Sequence, residues 1–183
     1  MLQKKIVIIG PESTGKSTLC KLLAEHYKTV WCPEFAREYL MQLGRQYTYE
    51  DLLKIALGQL ELEDSLATEG KNNFYFIDTD MYVMEVWCEV AFNNCHKWIL
   101  KQIAERRYDL YLLCNVDLPW VQDELREYPS LEKRKMIYNM YKDFMINSGS
   151  RWGEISGTHS ERLQTAISLI NTYFTDSKAT YLK

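Results

Sequence analysis

The chain has 183 residues, a formal net charge of −3 and a hydrophobic content of 46%, which suffices for a single domain with its own core. Its basic residues form no block or stripe, which argues against a nucleic-acid partner. No apolar run approaches the length of a membrane span, so we expect one domain over residues 1–183 with no membrane partner.

Apolar runs and helical patterns alternate along the chain. Strand-like runs cover residues 5–10, 28–32, 73–78, 108–115 and 152–157. Helical periodicity covers residues 17–27, 34–43, 49–69, 81–105 (as two helices), 131–147 and 159–174. Several strand-like runs are almost continuously apolar, which is typical of parallel strands covered by helices on both faces. The pattern predicts an α/β fold, a three-layer sandwich with a parallel five-stranded sheet flanked by helices.

The segment after the first apolar run reads GPESTGKS and matches the motif G-x-x-x-x-G-K-[ST]. Glycines at both ends let the backbone curl so that successive N–H groups point into one concavity, beside the positive end of the next helix. A plain strand-to-helix turn would need a glycine but not Lys-Ser in this register. The motif predicts a P-loop that binds a nucleoside triphosphate. Its predicted binding residues are Gly10, Glu12, Ser13, Thr14, Gly15, Lys16, Ser17 and Thr18.

A P-loop also needs a carboxylate that organises Mg²⁺. Asp78 ends the third apolar run, and the carboxyl ends of parallel strands face the ligand crevice. We expect Asp78 and the Ser17 hydroxyl to hold Mg²⁺. Asp80, two residues on, is expected to point to a similar side, and it could instead cap the next helix because Asp is a common N-cap residue.

The remaining motifs narrow the class of P-loop protein. Asn115-Val116-Asp117 has the wrong spacing for the guanine-reading motif of GTPases and lacks its lysine. An AAA+ motor would need a helical second domain, for which the chain is too short. A small-molecule kinase is left, and such an enzyme needs a carboxylate near the acceptor hydroxyl, a lid with an arginine, and a loop that holds adenine. Gly157, before the last predicted helix, is the candidate for the adenine loop.

Glu34 and Arg37 lie one helical turn apart where the predicted helix 34–43 begins. Glu34 or Asp78 could position the acceptor hydroxyl and accept its proton, a role that contributes about 10²–10⁴-fold to a rate. Arg37 could bind phosphate or hold Glu34 in place. Alternatively, Glu34 and Arg37 form a solvated pair worth only a few tenths of a kcal/mol.

A lid is predicted over about residues 117–148, with Arg126 expected to close over the γ-phosphate. Trp120 stands between Asp117 and Asp123 and suits a flat cationic ring, or it is a core residue after Pro119. In the helical part of the lid, one face is expected to be apolar and the other basic. Ile137, Tyr141 and Phe144 line the apolar face, and Lys133, Arg134 and Lys135 are expected to lie mostly on the other face.

Together these motifs resemble a known family. The segments GPESTGKSTL, WCPEFAREYL, IALGQ, FIDTD, DLPWVQDELR and SGTHSERLQTAI occur in this order, and the chain is similar to the ribosylnicotinamide kinase domain of the bacterial bifunctional NMN adenylyltransferase/ribosylnicotinamide kinase family. The resemblance implies a P-loop nucleoside-kinase fold that uses ATP and Mg²⁺ to phosphorylate the 5′-hydroxyl of nicotinamide riboside. It also implies a set of substrate-binding residues, namely Arg37, Tyr39, Gln59, Asp80, Trp120 and Asp123. Gly58 beside Gln59 would then mark close approach to substrate, or else a tight packing point.

Two departures from the family pattern stand out. The chain has Asp123-Glu124 where the family usually has Asp-Gly, which bears on the lid geometry before Arg126. No second nucleotide-binding signature is visible, so we expect another protein to adenylylate NMN. Two alternatives remain open at this stage: a kinase for another nucleoside, and an ATP-binding regulatory P-loop protein.

The five cysteines are scattered and include no Cys-x-x-Cys pair. This usage is typical of buried thiols in a reducing compartment rather than of a disulfide frame or a zinc site. The apolar run between the two lysines and Gly10 has only four residues, 6–9, which is too short for a signal-peptide core. We expect a cytoplasmic protein, and the sequence gives no indication of its oligomeric state.

Overall fold

In the computed structural model, five parallel strands form one sheet that is covered by helices on both faces. The structure describes residues 3–69 and 72–175. Residues 1–2, 70–71 and 176–183 of the predicted domain lie outside the described residues. The strands are β1 (Lys4–Ile9), β2 (Trp31–Cys32), β3 (Phe74–Asp78), β4 (Leu110–Cys114) and β5 (Trp152–Ile155). The helices are α1 (Lys16–Tyr27), α2 (Phe35–Leu43), α3 (Tyr49–Ala67), α4 (Met81–Phe92), α5 (Lys97–Glu105), α6 (Leu131–Asn147) and α7 (His159–Thr175).

The sheet has the strand order β2-β3-β1-β4-β5, with β1 at its centre. The end of β1 lies between β3 and β4, since Ile8 pairs with Asp78 and Ile9 pairs with Leu113. The chain leaves β1 toward one edge of the sheet and reaches the other edge only after β3. Ligands of open parallel sheets bind at such a reversal, at the carboxyl ends of the strands.

Alternate residues of β1 enter two different hydrophobic clusters, which explains its continuous apolar run. Val7 and Ile9 belong to the cluster that includes residues of α4 and α6, whereas Ile6 and Ile8 belong to the cluster that includes residues of α1 and α7. All four side chains are fully buried. The three-layer α/β prediction is therefore confirmed.

A third cluster joins α2, α3, α4 and α5 beside the sheet. The helices α2 and α3 are in tight contact at Gly58, where a Cβ atom would overlap the ring of Phe35. Gly in a helix costs about 1 kcal/mol relative to Ala, and this contact explains why it is present. Of the two interpretations offered for Gly58, the tight packing point is the one that the structure supports.

Most predicted elements are observed with ends shifted by one or two residues. The predicted strand 28–32 shortens to two residues because Lys28 takes a left-handed conformation with φ 52° and ends α1. The prediction of two helices over 81–105 is correct, and Asn93, with φ 51°, ends the first of them. None of the helices in the described part of the chain is long and apolar enough to cross a membrane.

Candidate active site

The loop between β1 and α1 has the geometry of a phosphate-binding loop. Gly10 and Gly15 have φ of 138° and 77°, which side chains rarely tolerate. A Cβ on Gly10 would also lie 2.6 Å from the carbonyl oxygen of Cys114. The helix begins at Lys16, whose Nζ donates to the carbonyl oxygen of Pro11 at 3.0 Å. The lysine ammonium therefore lies over the concave side of the loop, where phosphate oxygens would bind.

The loop opens onto a cleft of about 260 Å³ between α2, α4, α6 and the segment before α6. All residues from Gly10 to Thr18 line this cleft. Glu34 and Arg37 reach it from α2, and Arg126 reaches it from the predicted lid. The structure thus brings three of the four predicted catalytic residues, Lys16, Glu34 and Arg126, to one cleft.

Asp78, the fourth, is fully buried at the end of β3 and close to Ser17. Neither carboxylate oxygen has a hydrogen-bond partner of ordinary geometry in the described part of the chain. Burial, and next the charge of Glu34, raises the pKa of Asp78 to about 7, while the nearby Lys16 and Ser17 oppose this shift. Two unpartnered carboxylate oxygens beside a serine hydroxyl are the hard oxygen donors that Mg²⁺ prefers, so these residues fit the ion.

Asp80 does not point to the same side as Asp78. The intervening Thr79 has φ 81°, which ends the alternation of the strand and turns the chain. One Asp80 oxygen accepts from the Tyr82 amide at 3.0 Å and caps α4, and the other accepts from the Tyr111 hydroxyl at 2.9 Å. Burial raises the pKa of Asp80 to about 7. The expectation of a similar side is wrong, and the capping interpretation is the one observed.

Gln59 and Tyr39, both predicted to bind substrate, instead hold α2 in place. The Gln59 Oε1 accepts from the Phe35 amide at 2.8 Å, and its Nε2 donates to the Pro33 carbonyl at 3.4 Å. The Tyr39 hydroxyl donates to Asp51 at 2.9 Å. Gln59 is almost fully buried, and neither residue lines the cleft. Gln59 therefore fixes the backbone on either side of Glu34.

The segment before α6 is bonded directly to the P-loop. The Glu12 carboxylate accepts from the backbone N–H groups of Glu127 and Tyr128, and the Ser13 hydroxyl accepts from that of Val121 at 3.1 Å. Burial raises the pKa of Glu12, and the two amides oppose that shift. The first half of the predicted lid thus lies over the loop as an irregular segment with a turn at residues 124–125, and helix begins only at residue 131.

A second contact joins this segment to α2. Arg37 donates to both oxygens of Asp123, at 2.9 and 3.4 Å, and this pair lowers the pKa of Asp123. Arg37 is half exposed, so the pair is worth at most about 1 kcal/mol. Asp123 does not line the cleft. Its observed partner is the arginine that was expected to bind phosphate or steady Glu34.

Trp120 lies against the protein's own cations. The guanidinium of Arg126 is 5.9 Å and that of Arg134 is 5.3 Å from the centre of its ring, and Trp120 does not line the cleft. Trp120 therefore makes its cation–π contacts with two arginines of the predicted lid. Arg126 also donates to the Val121 carbonyl.

Arg134 is the exception among the three basic residues at positions 133–135 of α6. It is only 4% exposed, and two of its guanidinium nitrogens have no partner in the described residues. Arg134 precedes Ile137 and Tyr141 by three and seven positions, a spacing that puts all three on one helix face. The basic face expected for this helix therefore does not include Arg134, and helical spacing would have revealed it.

Gly157 lies outside the cleft lining. Its amide donates to Asp117 at 2.6 Å, and its φ of 93° favours glycine. The adjacent Arg162, which is fully buried, donates to the carbonyls of Gly157 and Thr14 at 2.7 and 3.1 Å. It also forms an ion pair with Asp117. Arg162 therefore ties this loop to the back of the P-loop, a role that the sequence did not indicate.

The cleft has an apolar half away from the phosphates. Val83, Val86, Trp87 and Val90 face it from α4, and Ile137 faces it from α6. From the first to the last of these α4 residues is about 10 Å along a helix axis. The cleft therefore has a charged end at the P-loop and an apolar wall along α4.

Comparison with known proteins identifies the family. The profile of a family described as an AAA domain matches residues 5–162. The chain belongs to this family. The family carries the AAA name, although the motifs of the sequence favour a small-molecule kinase over an AAA+ motor. The match covers the P-loop and most of the sheet and helices described above.

Two curated relatives match more specifically. The trifunctional NAD biosynthesis/regulator protein NadR of Salmonella typhimurium is 34% identical over 146 residues, which are 78% of this chain and 35% of that protein. The protein of the same name from Escherichia coli matches with the same identity and shares. The chain therefore spans about a third of the length of these relatives.

Solved structures agree on the fold. A NadR protein in complex with NR has a TM-score of 0.76 at 23% identity, covering 94% of this chain and 50% of that one. Thymidylate kinase from Ehrlichia chaffeensis has a TM-score of 0.67 at 14% identity, covering 92% and 98%. At these identities the likeness shows the fold alone, which is that of P-loop kinases.

Proposed function

We propose that this chain is a kinase that transfers the γ-phosphate of ATP to the 5′-hydroxyl of nicotinamide riboside and produces NMN. The observation that carries the proposal is the convergence of Lys16, Glu34 and Arg126 on a cleft whose far half is apolar. A triphosphate at one end and a nucleoside at the other would meet beside Glu34. The choice of nucleoside is supported by the family resemblance and by relatives named for NAD biosynthesis.

In the proposed mechanism, the amides of residues 12–17 and the Lys16 ammonium hold the β- and γ-phosphates and neutralise charge that develops during in-line transfer. Glu34 positions the 5′-hydroxyl and accepts its proton. We assign this role to Glu34 rather than Asp78 because Glu34 lines the cleft, whereas Asp78 is buried beside Ser17. Mg²⁺, held by Ser17 and Asp78, would supply further charge neutralisation at the phosphates.

Arg126 is proposed to neutralise the transferred phosphoryl group, with Arg134 beside it across Trp120. Arg126 lines the cleft and Arg134 does not, so the proposed contact with the phosphoryl group is made by Arg126. The proposed compartment is the cytoplasm, since all five cysteines are free and four of them are buried.

The test is a panel of nucleosides assayed with ATP and Mg²⁺ by ADP release and by product mass. It contains nicotinamide riboside, pyrimidine ribonucleosides, deoxynucleosides and a sample without nucleoside. We expect ADP release that depends on nicotinamide riboside and a product heavier by one phosphate. Preference for another nucleoside would show that the proposed substrate is wrong, while the proposed phosphoryl-transfer reaction would stand. Slow hydrolysis that no nucleoside changes would support the ATP-binding regulator instead.

A further inference from the structure

Tyr141 is a buried tyrosine whose hydroxyl group points into the cleft. The residue is 3% exposed, lies on α6 and lines the cleft. Within residues 3–69 and 72–175 its hydroxyl has no hydrogen-bond partner. The hydroxyl oxygen itself is open to the cleft, so a ligand bound there can form a hydrogen bond with it. Two neighbouring tyrosines bond within the protein instead, since Tyr138 donates to Glu154 at 2.7 Å and Tyr111 donates to Asp80 at 2.9 Å.

The surroundings keep the Tyr141 hydroxyl protonated. Burial, and then the negative charges of Asp80, Glu34 and Glu12, raise the pKa of Tyr141 well above its usual value. A neutral phenol can donate one hydrogen bond and accept others. The group that faces the cleft beside these carboxylates is therefore a hydrogen-bonding hydroxyl at every physiological pH.

The position of Tyr141 along the cleft indicates which part of a ligand it meets. Its ring belongs to the same buried cluster as Val83 and Val86, near the start of α4. Trp87 and Val90 continue the apolar wall farther along that helix. With the 5′-hydroxyl of a nucleoside at Glu34, the sugar lies next to Tyr141 and the base lies along the later residues of α4.

We propose that the Tyr141 hydroxyl forms a hydrogen bond with a ribose hydroxyl of the acceptor and so favours ribonucleosides over deoxynucleosides. This assignment rests on the proposed function, because it takes the acceptor to be a nucleoside. Tyr141 is a substrate-binding residue in this proposal, and it takes no part in the transfer itself.

The test combines one variant with altered substrates. Tyr141→Phe removes a single oxygen, and its matched control is Tyr138→Phe, whose hydroxyl bonds Glu154 one turn away outside the cleft. Each protein is assayed with the nucleoside that the wild type prefers and with its 2′-deoxy and 3′-deoxy forms. We measure kcat and KM for each nucleoside, KM for ATP, and the melting temperature.

The wild type should lose about 3- to 10-fold in kcat/KM with one of the two deoxy forms, the value of one neutral hydrogen bond. Tyr141→Phe should lose a similar factor with the parent nucleoside, mainly through KM, and nothing further with that deoxy form. Its KM for ATP should not change. Tyr138→Phe should keep the wild-type discrimination and lose melting temperature instead.

Two results would overturn the assignment alone: a wild type that uses both deoxy forms as well as the parent, or a Tyr141→Phe variant with undiminished discrimination. A wild type that phosphorylates no nucleoside would overturn the proposed function, and the assignment with it. The wild-type comparison needs no variant, so it can overturn the assignment even if Tyr141→Phe folds poorly.

Discussion

The substitution Gln59→Leu tests whether a residue outside the cleft sets the position of Glu34. Leu is an apolar residue of comparable size that cannot accept the hydrogen bond from the Phe35 amide or donate one to the Pro33 carbonyl. Phe35 is the first residue of α2, so its N–H has no acceptor within the helix. Glu34 lies between the two backbone groups that would lose their partner.

The magnitude follows from these contacts. Leaving a buried N–H without an acceptor costs about 1–3 kcal/mol. For a domain of this size, about 2 kcal/mol lowers the melting temperature by about 4–8 °C. A carboxylate displaced by about 1 Å can lower a rate by as much as about 100-fold. We therefore expect kcat to fall by about 10-fold or more while KM for ATP stays within about twofold, because the P-loop is untouched.

Steady-state phosphorylation kinetics and thermal denaturation measure both effects. The control is Glu61→Ala, an exposed position two residues along the same helix, which should leave kcat and melting temperature nearly unchanged. A Gln59→Leu protein that melts lower but keeps the wild-type kcat would refute the reasoning. In that case the backbone at Glu34 would be fixed by other contacts, and Gln59 would serve stability alone.

Three further outcomes follow. Lys16→Ala should abolish turnover and leave the far-UV circular dichroism unchanged; phosphorylation that persists would contradict the P-loop assignment. Glu34→Gln should lower kcat far more than it raises KM for the nucleoside, whereas an unchanged kcat would transfer the base role to Asp78. Burial and the charge of Glu89 raise the pKa of Glu85 to about 7. The folded state therefore loses stability as the pH rises from about 5 through 7. Glu85→Gln should have a higher melting temperature than the wild type at pH 8 but not at pH 5.

The phosphate end of the cleft could be predicted from the sequence because it is local. One loop between β1 and α1 supplies the amides, the lysine and the serine, so its chemistry follows from the order of eight residues. Asp78 could be added because it ends an apolar strand, and strand order places that end beside the loop. The prediction of the parallel sheet succeeded for a similar reason, since both faces of β1 are buried and its sequence is apolar throughout.

The contacts of the lid could not be predicted, because they join positions that are far apart in sequence. Glu12 bonds the amides of residues 127 and 128, and Arg37 pairs with Asp123. No local pattern specifies a backbone amide as the partner of a carboxylate more than 100 residues away. Arg134 is different, because helical spacing alone would have put it on the face of Ile137.

The residues around the acceptor end of the cleft show a limit of motif matching. A motif does not tell which of its residues would contact a ligand and which support the site from outside it. Gln59 and Asp80 belong to segments shared with the family, yet Gln59 bonds the backbone around Glu34 and Asp80 caps α4. Both are polar and buried, and both have their hydrogen bonds satisfied inside the protein. Tyr141 is equally buried, but its hydroxyl faces the cleft without a partner. A hydroxyl that is open to the cleft and bonds nothing within the protein can bond a ligand, whereas Gln59 and Asp80 would first have to give up an internal partner.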